Sequence, residues 1–363
     1  MKTRSMVLTG PGKMAMQEFD IPPIGPEEGL LAVEMVGICG SDVGRYKGKA
    51  ADLPTPYPLI LGHEIVGRFE EIGEEASRRW GIKKGERAIV LCIFGCGICP
   101  PCLLGNLNHC ESSFRYGLTI SCKDSPHLWG AYGQHLYVSP RALVQKIGDD
   151  VPPEVGVLIA AVLANGVRWM RTMGGTTIGD TVVIEGPGPQ GLAGVIAAKE
   201  SGASRIIVIG LTRDKKRFDL AREFGATDLV NAEEQNPVEA VREMTGGKMA
   251  DVVMDTSGNP AGGKLILDLV GKGGTVVVPG SYGFTTEIPL VLDKIYTKEI
   301  TIQGVRGQDI SSVKASVDLA KAKKYPLEKM VTHRFPLEQA EAAIHLVAGE
   351  GGGEDVIKVV LVP

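Results

Sequence analysis

Residues 181–203 read TVVIEGPGPQGLAGVIAAKESGA, a β-favouring run that passes through a glycine-rich turn into a helical run. At the turn, Gly186, Gly188 and Gly191 form the pattern G-x-G-x-x-G. In this context the first glycine makes the turn, the second lets a pyrophosphate approach the backbone, and the third packs the helix against the strand. An ordinary glycine-rich turn is the alternative, but the strand before it and the helix after it favour a dinucleotide site.

The same alternation of strand and helix continues through the middle of the chain. The later strand-like runs are RIIVIGL (205–211), DLVNA (228–232), DVVMDTSG (251–258) and TVVVPGSYG (275–283). Alternating β and α units predict a doubly wound parallel sheet. The first 150 or so residues differ, with short β-favouring runs that glycine and proline interrupt, and the tail returns to mixed character. We therefore predict a β-rich domain of residues 1–155 and 299–363, with a nucleotide domain of residues 156–298 inserted into it.

Composition narrows the function class. The 363 residues carry a net charge of −4, with acidic and basic residues mixed along the chain. This argues against a general nucleic-acid binder, which would show a basic face. No apolar stretch of about 18 residues is present, so no membrane span is expected, and the start MKTRSMVLTG does not resemble a signal peptide. Seven cysteines, an odd number, suit a reducing compartment better than a disulfide scaffold. The expected location is the cytoplasm.

Five of the seven cysteines lie in one short segment, residues 92–112, which we call the cysteine lobe, and four of these five are closely spaced. Within its stretch CGICPPCLLGNLNHC, the spacing C-x2-C-x2-C-x7-C is formed by Cys96, Cys99, Cys102 and Cys110. Four thiolates complete a tetrahedral shell, so this pattern predicts a structural zinc site that performs no chemistry.

Other interpretations of the cysteine lobe are weaker. A bacterial iron–sulfur motif would continue with x3-C-P, whereas seven residues separate the last two cysteines here. A nucleic-acid zinc ribbon would have basic neighbours. His109 precedes Cys110 and is an alternative ligand, and four unrelated reduced cysteines are the remaining interpretation.

The end of the second strand of the nucleotide domain bears on cofactor choice. An NAD site usually has an acidic residue about twenty residues after the glycines, where it binds the ribose hydroxyls. This chain has Thr212 and Arg213 at that point. Without a carboxylate there, and with an arginine available for a 2′-phosphate, the sequence favours NADP over NAD. A solvated, charged helix start is the alternative interpretation.

Two further motifs, GICGSD (37–42) and LGHE (61–64), contain Cys39 and His63. Each residue alone is more often structural than a metal ligand. Together with the cysteine lobe, GPGPQG and the order of the domains, however, they resemble the zinc-containing medium-chain alcohol dehydrogenases over nearly the whole chain. The resemblance implies a GroES-like catalytic domain, a Rossmann cofactor domain, and two zinc ions per chain, one catalytic and one structural.

The resemblance also implies individual roles. Cys39 and His63 match the catalytic zinc ligands, and Glu64 matches an adjacent carboxylate that binds the zinc directly in some members. Ser41 matches the hydroxyl that begins proton relay, and Asp42 matches the carboxylate that orients the zinc-bound histidine.

The chain departs from the family pattern at two places. Where many members have a Cys or Glu ligand, this chain has only Ala160 and Ala161. Since a catalytic zinc normally has three protein ligands, we expect Glu64 to coordinate directly. Gly44 replaces a relay histidine, so the proton path is expected to run from Ser41 through the cofactor ribose or water.

The function predicted on this basis is reversible hydride transfer between an alcohol, preferably secondary or cyclic, and a nicotinamide cofactor. Polyol, sugar or amino-alcohol oxidation in the same family is the alternative. A zinc-free alkene reductase or a binding protein that has lost the site fits less well, because the candidate zinc ligands are intact. The resemblance further implies a homo-oligomer, dimer or tetramer.

Overall fold

The computed structural model describes residues 1–49, 54–284, 286–350 and 355–363. They form two compact units, one of residues 1–161 and 309–363, the other of residues 162–308. Among the described residues, every helix is too short or too polar to span a bilayer.

Most of the strands are short, and the longest has ten residues. In chain order they are β1 (Lys2–Gly10), β2 (Lys13–Asp20), β3 (Gly29–Ile38), β4 (Leu59–Ile60), β5 (Glu64–Ile72), β6 (Arg87–Val90), β7 (Ile93–Phe94), β8 (Phe114–Arg115), β9 (His135–Val138), β10 (Val144–Lys146), β11 (Thr181–Glu185), β12 (Arg205–Gly210), β13 (Asp228–Asn231), β14 (Ala250–Asp255), β15 (Val270–Val278), β16 (Thr301–Gly304), β17 (Val331–Pro336) and β18 (Lys358–Val362).

The helices are also mostly short. The α-helices are α1 (Gly40–Tyr46), α2 (Glu74–Trp80), α3 (Pro100–Leu103), α4 (Pro153–Leu158), α5 (Ala164–Gly166), α6 (Pro189–Glu200), α7 (Lys215–Phe224), α8 (Pro237–Met244), α9 (Pro260–Gly263), α10 (Ile266–Leu269), α11 (Leu292–Lys298), α12 (Ile310–Ala322) and α13 (Ala340–Val347). Single 3₁₀ turns lie at Leu107–His109, Thr212–Asp214, Leu327–Met330 and Leu337–Gln339, and π-helical turns at Ile159–Leu163 and Val167–Met173.

The first unit is built from mainly antiparallel sheets. Its largest sheet, among the described residues, has the order β10-β6-β5-β3-β18-β17, with β9 also paired to β3. The sheet β2-β1-β4 packs beside it through shared core residues such as Leu8, Leu31 and Tyr132, all fully buried. Strand β3 is central, because it pairs with β5, β9 and β18.

The second unit is the doubly wound sheet that the sequence predicts. All of its strand pairs are parallel, in the order β13-β12-β11-β14-β15-β16. The chain therefore winds outward from β11 on one side and then continues from β14 on the other. In sheets of this kind the carboxyl ends of the two central strands flank the ligand crevice. The predicted fold class, a β-rich domain combined with a Rossmann-type domain, is confirmed.

The boundaries of the two units differ from the predicted ones. The second unit begins at residue 162, not 156, and ends at residue 308, not 298. Residues 153–173 are helical without a break, so no turn marks the first boundary. At the second, β16 pairs in parallel with β15 and belongs to the nucleotide sheet, although the sequence predicts that EITIQGVRG lies in the other domain.

Two carboxyl side chains are buried at the centre of the parallel sheet. Glu185 ends β11, Asp255 ends β14, and the two residues are paired in the strand register. Glu185 is 3% exposed and Asp255 is fully buried. Asp255 accepts hydrogen bonds from Tyr282 Oη (2.6 Å) and the Ser257 amide (2.8 Å), whereas Glu185 Oε2 has no hydrogen-bond partner. Burial, followed by the charge of Asp255, raises the pKa of Glu185 well above its ordinary value.

This shift predicts how stability depends on pH. Between the unfolded-state pKa of about 4.3 and its raised folded pKa, Glu185 keeps a proton in the folded chain that it loses on unfolding. The free energy of unfolding therefore falls as pH rises through this window. Glu185→Gln removes the ionisation, so we expect its Tm to exceed that of wild type at pH 8 by roughly 2 to 4 °C, the effect of about 1 kcal/mol in a domain of this size.

The measurement is thermal unfolding from pH 4 to pH 9, with Glu200→Gln on the exposed end of α6 as the matched control. The Tm curve of Glu185→Gln should meet that of wild type near pH 4 and rise above it at higher pH. The curve of Glu200→Gln should show no such pH-dependent separation from wild type. A constant difference at every pH would contradict the assignment.

Candidate active site

The turn from β3 into α1 presents three side chains to one point. Cys39 follows β3 and is the N-cap residue of α1, while Ser41 and Asp42 lie in the first turn of the helix. The Cys39 amide donates a hydrogen bond to Asp42 Oδ2 at 2.9 Å, which fixes the turn. Asp42 is fully buried and Ser41 is exposed.

His63 reaches the same point from the neighbouring strand. It immediately precedes β5, whose residue Glu64 is the register partner of Gly37 on β3. His63 Nε2 lies 3.1 Å from Cys39 Sγ and 3.3 Å from Ser41 Oγ. Its other ring nitrogen, Nδ1, lies 3.3 Å from Asp42 Oδ1. The imidazole therefore has its Nδ1 against a carboxylate and its Nε2 beside a thiol.

This arrangement suits a divalent metal ion of the zinc type. Cys39, Asp42 and His63 offer ligand atoms that all lie within 4.8 Å of one another. Burial lowers the pKa of His63, but the negative charges of Cys39 and then Asp42 raise it, and the net shift is upward. This concentration of negative charge attracts a cation. Thiolate and imidazole are preferred zinc donors, and a carboxylate on the far nitrogen orients such an imidazole. The donor set therefore fits zinc.

Glu64 has a partner of its own. Its carboxylate, 1% exposed, forms an ion pair with the Lys358 ammonium on β18, which also donates to the Ile38 carbonyl at 3.0 Å. Gly37 leaves room for this pair, since a Cβ there would lie 1.9 Å from Glu64 Oε2. Coordination of a metal by Glu64 would require this buried ion pair to open, so the expectation of direct coordination remains a prediction.

The two departures from the family pattern have simple surroundings. Ala160 and Ala161 lie in the π-helical turn at Ile159–Leu163 and have no donor side chain. Gly44 lies within α1, where an added Cβ would meet nothing within 4 Å.

A second candidate metal group is formed by four cysteines of the cysteine lobe, Cys96, Cys99, Cys102 and Cys110. Their sulfur atoms all lie within 4.8 Å of one another, and Cys96 Sγ is 3.9 Å from Cys102 Sγ. Four sulfurs at the zinc–sulfur distance in a tetrahedron are separated by about 3.8 Å. His109 Nδ1 instead lies 3.1 Å from Asn106 Nδ2, and His109 is outside this group.

The cysteine lobe also has an electrostatic reason to hold a cation. Backbone amides of Ile98 and Cys99 lower the pKa of Cys96, so this thiol ionises readily. For Cys99, the Cys102 amide lowers the pKa, but burial and the neighbouring sulfurs raise it further, and the net shift is upward. Four thiolates therefore coexist only if a cation balances their charge, which fits a structural zinc ion.

Arg141 fastens the cysteine lobe to the first unit. Its Nε donates to the Gly95 carbonyl at 2.8 Å, and its guanidinium lies 5.6 Å from the Phe94 ring centroid and 5.2 Å from that of Phe114. Sequence reasoning missed Arg141, because it lies about thirty residues beyond the last of the four cysteines.

The glycine-rich turn has the geometry that a dinucleotide phosphate requires. Gly186 has φ +87°, and its missing Cβ would lie 2.9 Å from the Ser257 amide nitrogen. A Cβ at Gly191 would lie 2.0 Å from the Gly186 carbonyl oxygen, so only glycine lets α6 pack so closely. Gly188 caps α6 and has nothing within 4 Å of its Cβ position. The turn therefore leaves open backbone at the start of a helix, as a pyrophosphate site needs.

Thr212 and Arg213 lie just after β12, both exposed. The Thr212 amide donates to Glu233 Oε2 at 2.8 Å, and Thr212 Oγ1 accepts from Asn231 Nδ2 at 3.0 Å. Sequence reasoning missed Glu233, whose only signal was its place after the third strand of the nucleotide domain.

Two segments of the chain match the models of known protein families. Residues 25–149 match the family described as alcohol dehydrogenase GroES-like domain, and residues 189–322 match the one described as zinc-binding dehydrogenase. A "Probable alcohol dehydrogenase" of Mycobacterium tuberculosis is 36% identical over 368 residues, covering 99% of this chain and 98% of the relative. An erythritol/L-threitol dehydrogenase of Mycolicibacterium smegmatis is 30% identical over 371 residues, covering 100% and 98%.

A solved structure from Sinorhizobium meliloti 1021, bound to NADP, is similar throughout. It matches with a TM-score of 0.87 and 26% identity, and the match covers 100% of each chain.

The buried ion pair beside the candidate metal group gives a stability prediction. Lys358→Met leaves the Glu64 carboxylate buried without its partner, which costs about 3 to 5 kcal/mol. Lys358→Met combined with Glu64→Gln removes both charges, so we expect it to recover most of that loss. Urea unfolding of the two single variants and the double variant measures the coupling. If the double variant instead loses the sum of the two single-variant losses in the free energy of unfolding, the two side chains do not interact.

Proposed function

Since the chain belongs to the zinc-containing medium-chain alcohol dehydrogenases, a family of oxidoreductases that act on small molecules, we propose that it oxidises an alcohol reversibly with zinc and a nicotinamide cofactor. The observation that carries the proposal is the 3.1 Å approach of Cys39 Sγ and His63 Nε2, with Asp42 behind the imidazole. Both side chains would hold the catalytic zinc. Cys96, Cys99, Cys102 and Cys110 would hold a second, structural zinc.

The chemistry divides between bound groups and side chains. When bound, zinc supplies Lewis acidity that makes an alcohol hydroxyl easier to deprotonate, and the dinucleotide supplies the hydride acceptor. Asp42 holds His63 with Nε2 directed at the metal position, 3.3 Å behind it at Nδ1. Fixing one ligand in advance keeps the geometry of the site constant during the reaction.

Ser41 moves the proton. Its hydroxyl lies 2.9 Å from Cys39 Sγ and 3.3 Å from His63 Nε2, and the residue is exposed. It therefore contacts both candidate ligands and solvent, and can accept the alcohol proton and pass it to water. With Gly44 in α1, that helix offers no histidine at this position to extend the path.

For the cofactor we propose NADP over NAD. Residue 212 is a threonine, and Arg213 follows it with an exposed side chain suited to a 2′-phosphate. The structural relative bound to NADP supports the same choice. For the substrate we propose a secondary or cyclic alcohol. The relative named as an erythritol/L-threitol dehydrogenase favours a polyol as the second candidate.

Metal content tests the two proposed zinc sites separately. We expect about two zinc ions per chain, of which one is lost in Cys39→Ser and one in Cys96→Ser. Only Cys96→Ser should lower the unfolding midpoint strongly, because a closed thiolate site stabilises the fold. Cys122→Ser, a buried thiol outside both groups, is the control. Elemental analysis of purified protein gives the counts, and one zinc or none in the wild type would refute the proposal.

Turnover tests the reaction and the role of Ser41. Secondary, cyclic, primary and polyol alcohols are tested with NAD and NADP by the absorbance of the reduced cofactor. Ser41→Ala should lower kcat by roughly 100-fold, the usual effect of losing a proton-transfer group, while zinc content and cofactor Kd stay unchanged. If no alcohol in the panel is oxidised by zinc-loaded protein, the proposed function is wrong.

A further inference from the structure

We propose that Glu233 tunes the cofactor specificity of this chain by weakening, without reversing, its preference for NADP. Its carboxylate occupies the place expected for the 2′-phosphate of NADP, and the same carboxylate can accept a hydrogen bond from the ribose hydroxyl of NAD. Glu233 therefore opposes the NADP preference that Arg213 creates. This inference rests on the proposed function, because it assumes a dinucleotide at the glycine-rich turn.

Thr212 binds the Glu233 carboxylate directly. Its backbone amide donates to Glu233 Oε2 at 2.8 Å, and its hydroxyl group also hydrogen-bonds to this carboxylate. Asn231 positions both partners, since its Nδ2 donates to Thr212 Oγ1 at 3.0 Å and its Oδ1 accepts from the Glu233 amide at 3.1 Å. Asn231 thus holds the Glu233 backbone and the Thr212 side chain, while the Thr212 amide binds the carboxylate itself.

Sheet geometry explains why residues so far apart in the chain meet here. Strands β12 and β13 are parallel, with Gly210 the register partner of Asn231. The Ala232 amide continues this ladder by donating to the Gly210 carbonyl at 2.9 Å. The carboxyl ends of both strands therefore finish at the same level, which places Glu233 beside Thr212.

The surroundings of Glu233 favour its charged form. Hydrogen bonds from the Thr212 hydroxyl and amide, together with the positive charge of Arg213, lower its pKa. The carboxylate is consequently an anion at neutral pH. It engages the Thr212 amide and lies within the electrostatic reach of Arg213, the residue that the sequence favours as the partner of a 2′-phosphate. Two anions cannot share these groups, so NADP must displace Glu233, whereas NAD need not.

A second carboxylate nearby is committed elsewhere. Asp214 is buried, accepts from the Leu211 amide at 2.9 Å and pairs with Arg217 Nη1 at 2.8 Å. Its carboxylate therefore closes the 3₁₀ turn at Thr212–Asp214 and is already engaged by Leu211 and Arg217. Among the described residues in hydrogen-bonding contact with Thr212, Glu233 is the acidic one.

The test is cofactor binding, which requires no turnover. Kd values for NADP and NAD are measured by calorimetry on wild type, Glu233→Gln and Glu233→Ala. We expect NADP to bind about tenfold more tightly to both variants, because a like charge near the phosphate is removed, and NAD to bind several-fold more weakly. Glu234→Gln removes the same charge one residue further along and should leave both constants unchanged.

An unchanged ratio of the two Kd values in both Glu233 variants overturns the inference, as does an equal change in Glu234→Gln. The failure of the proposed function looks different. In that case the cofactors bind but no alcohol is oxidised, whatever the Kd ratio of the Glu233 variants. If neither cofactor binds the wild type, both proposals are overturned together.

Discussion

The antiparallel pairing of β3 with β5 is the constraint on which the candidate site depends. A thiol at the end of one strand and an imidazole at the start of the other meet because Gly37 and Glu64 are register partners. A slip of one residue in this register would turn His63 to the opposite face. The buried surface on both strands fixes the register, and the meeting of Cys39 with His63 follows from it.

The same pairing explains an unusual concentration of buried charge. Asp42, Glu64 and Lys358 are each at most 2% exposed. Asp42 and Glu64 lie within three residues of a candidate ligand along the chain, whereas Lys358 lies on β18, which pairs with β3. Burying such groups is unfavourable unless each has a partner. Lys358 neutralises Glu64, and Asp42 has the Cys39 amide and the imidazole. Gly37 makes this possible, because any side chain there would occupy the position of the Glu64 carboxylate.

In the nucleotide unit, charge is arranged differently. The glycine-rich turn leaves open backbone amides for an anionic ligand, while Glu233 already occupies the groups suited to an additional phosphate. In the function proposed above, the two features would act on separate parts of one cofactor. Because the Glu233 carboxylate lies on an exposed loop, the proposed site would favour one dinucleotide without excluding the other. By contrast, the carboxyl pair of Glu185 and Asp255 is buried, and both residues end central strands.

The features that the sequence by itself determined are local ones. The glycines of the turn, the alternation of strand and helix, and the four closely spaced cysteines are each legible within some twenty residues, since backbone conformation and short-range spacing govern them. The domain boundaries were harder to predict. An unbroken helix crosses one boundary, and β16 joins its sheet only by pairing with β15, a strand more than twenty residues earlier in the chain.

Tertiary structure alone decided which distant residues bind these features. The partners of Glu64, Thr212 and the cysteine lobe are Lys358, Glu233 and Arg141, and each pair is brought together by strand pairing or by loop packing across a long stretch of chain. Electrostatic contacts depend on distance in space, and no local pattern of residues encodes that distance. For this reason the presence of the candidate ligands could be predicted from the sequence, while the charges that surround them could not.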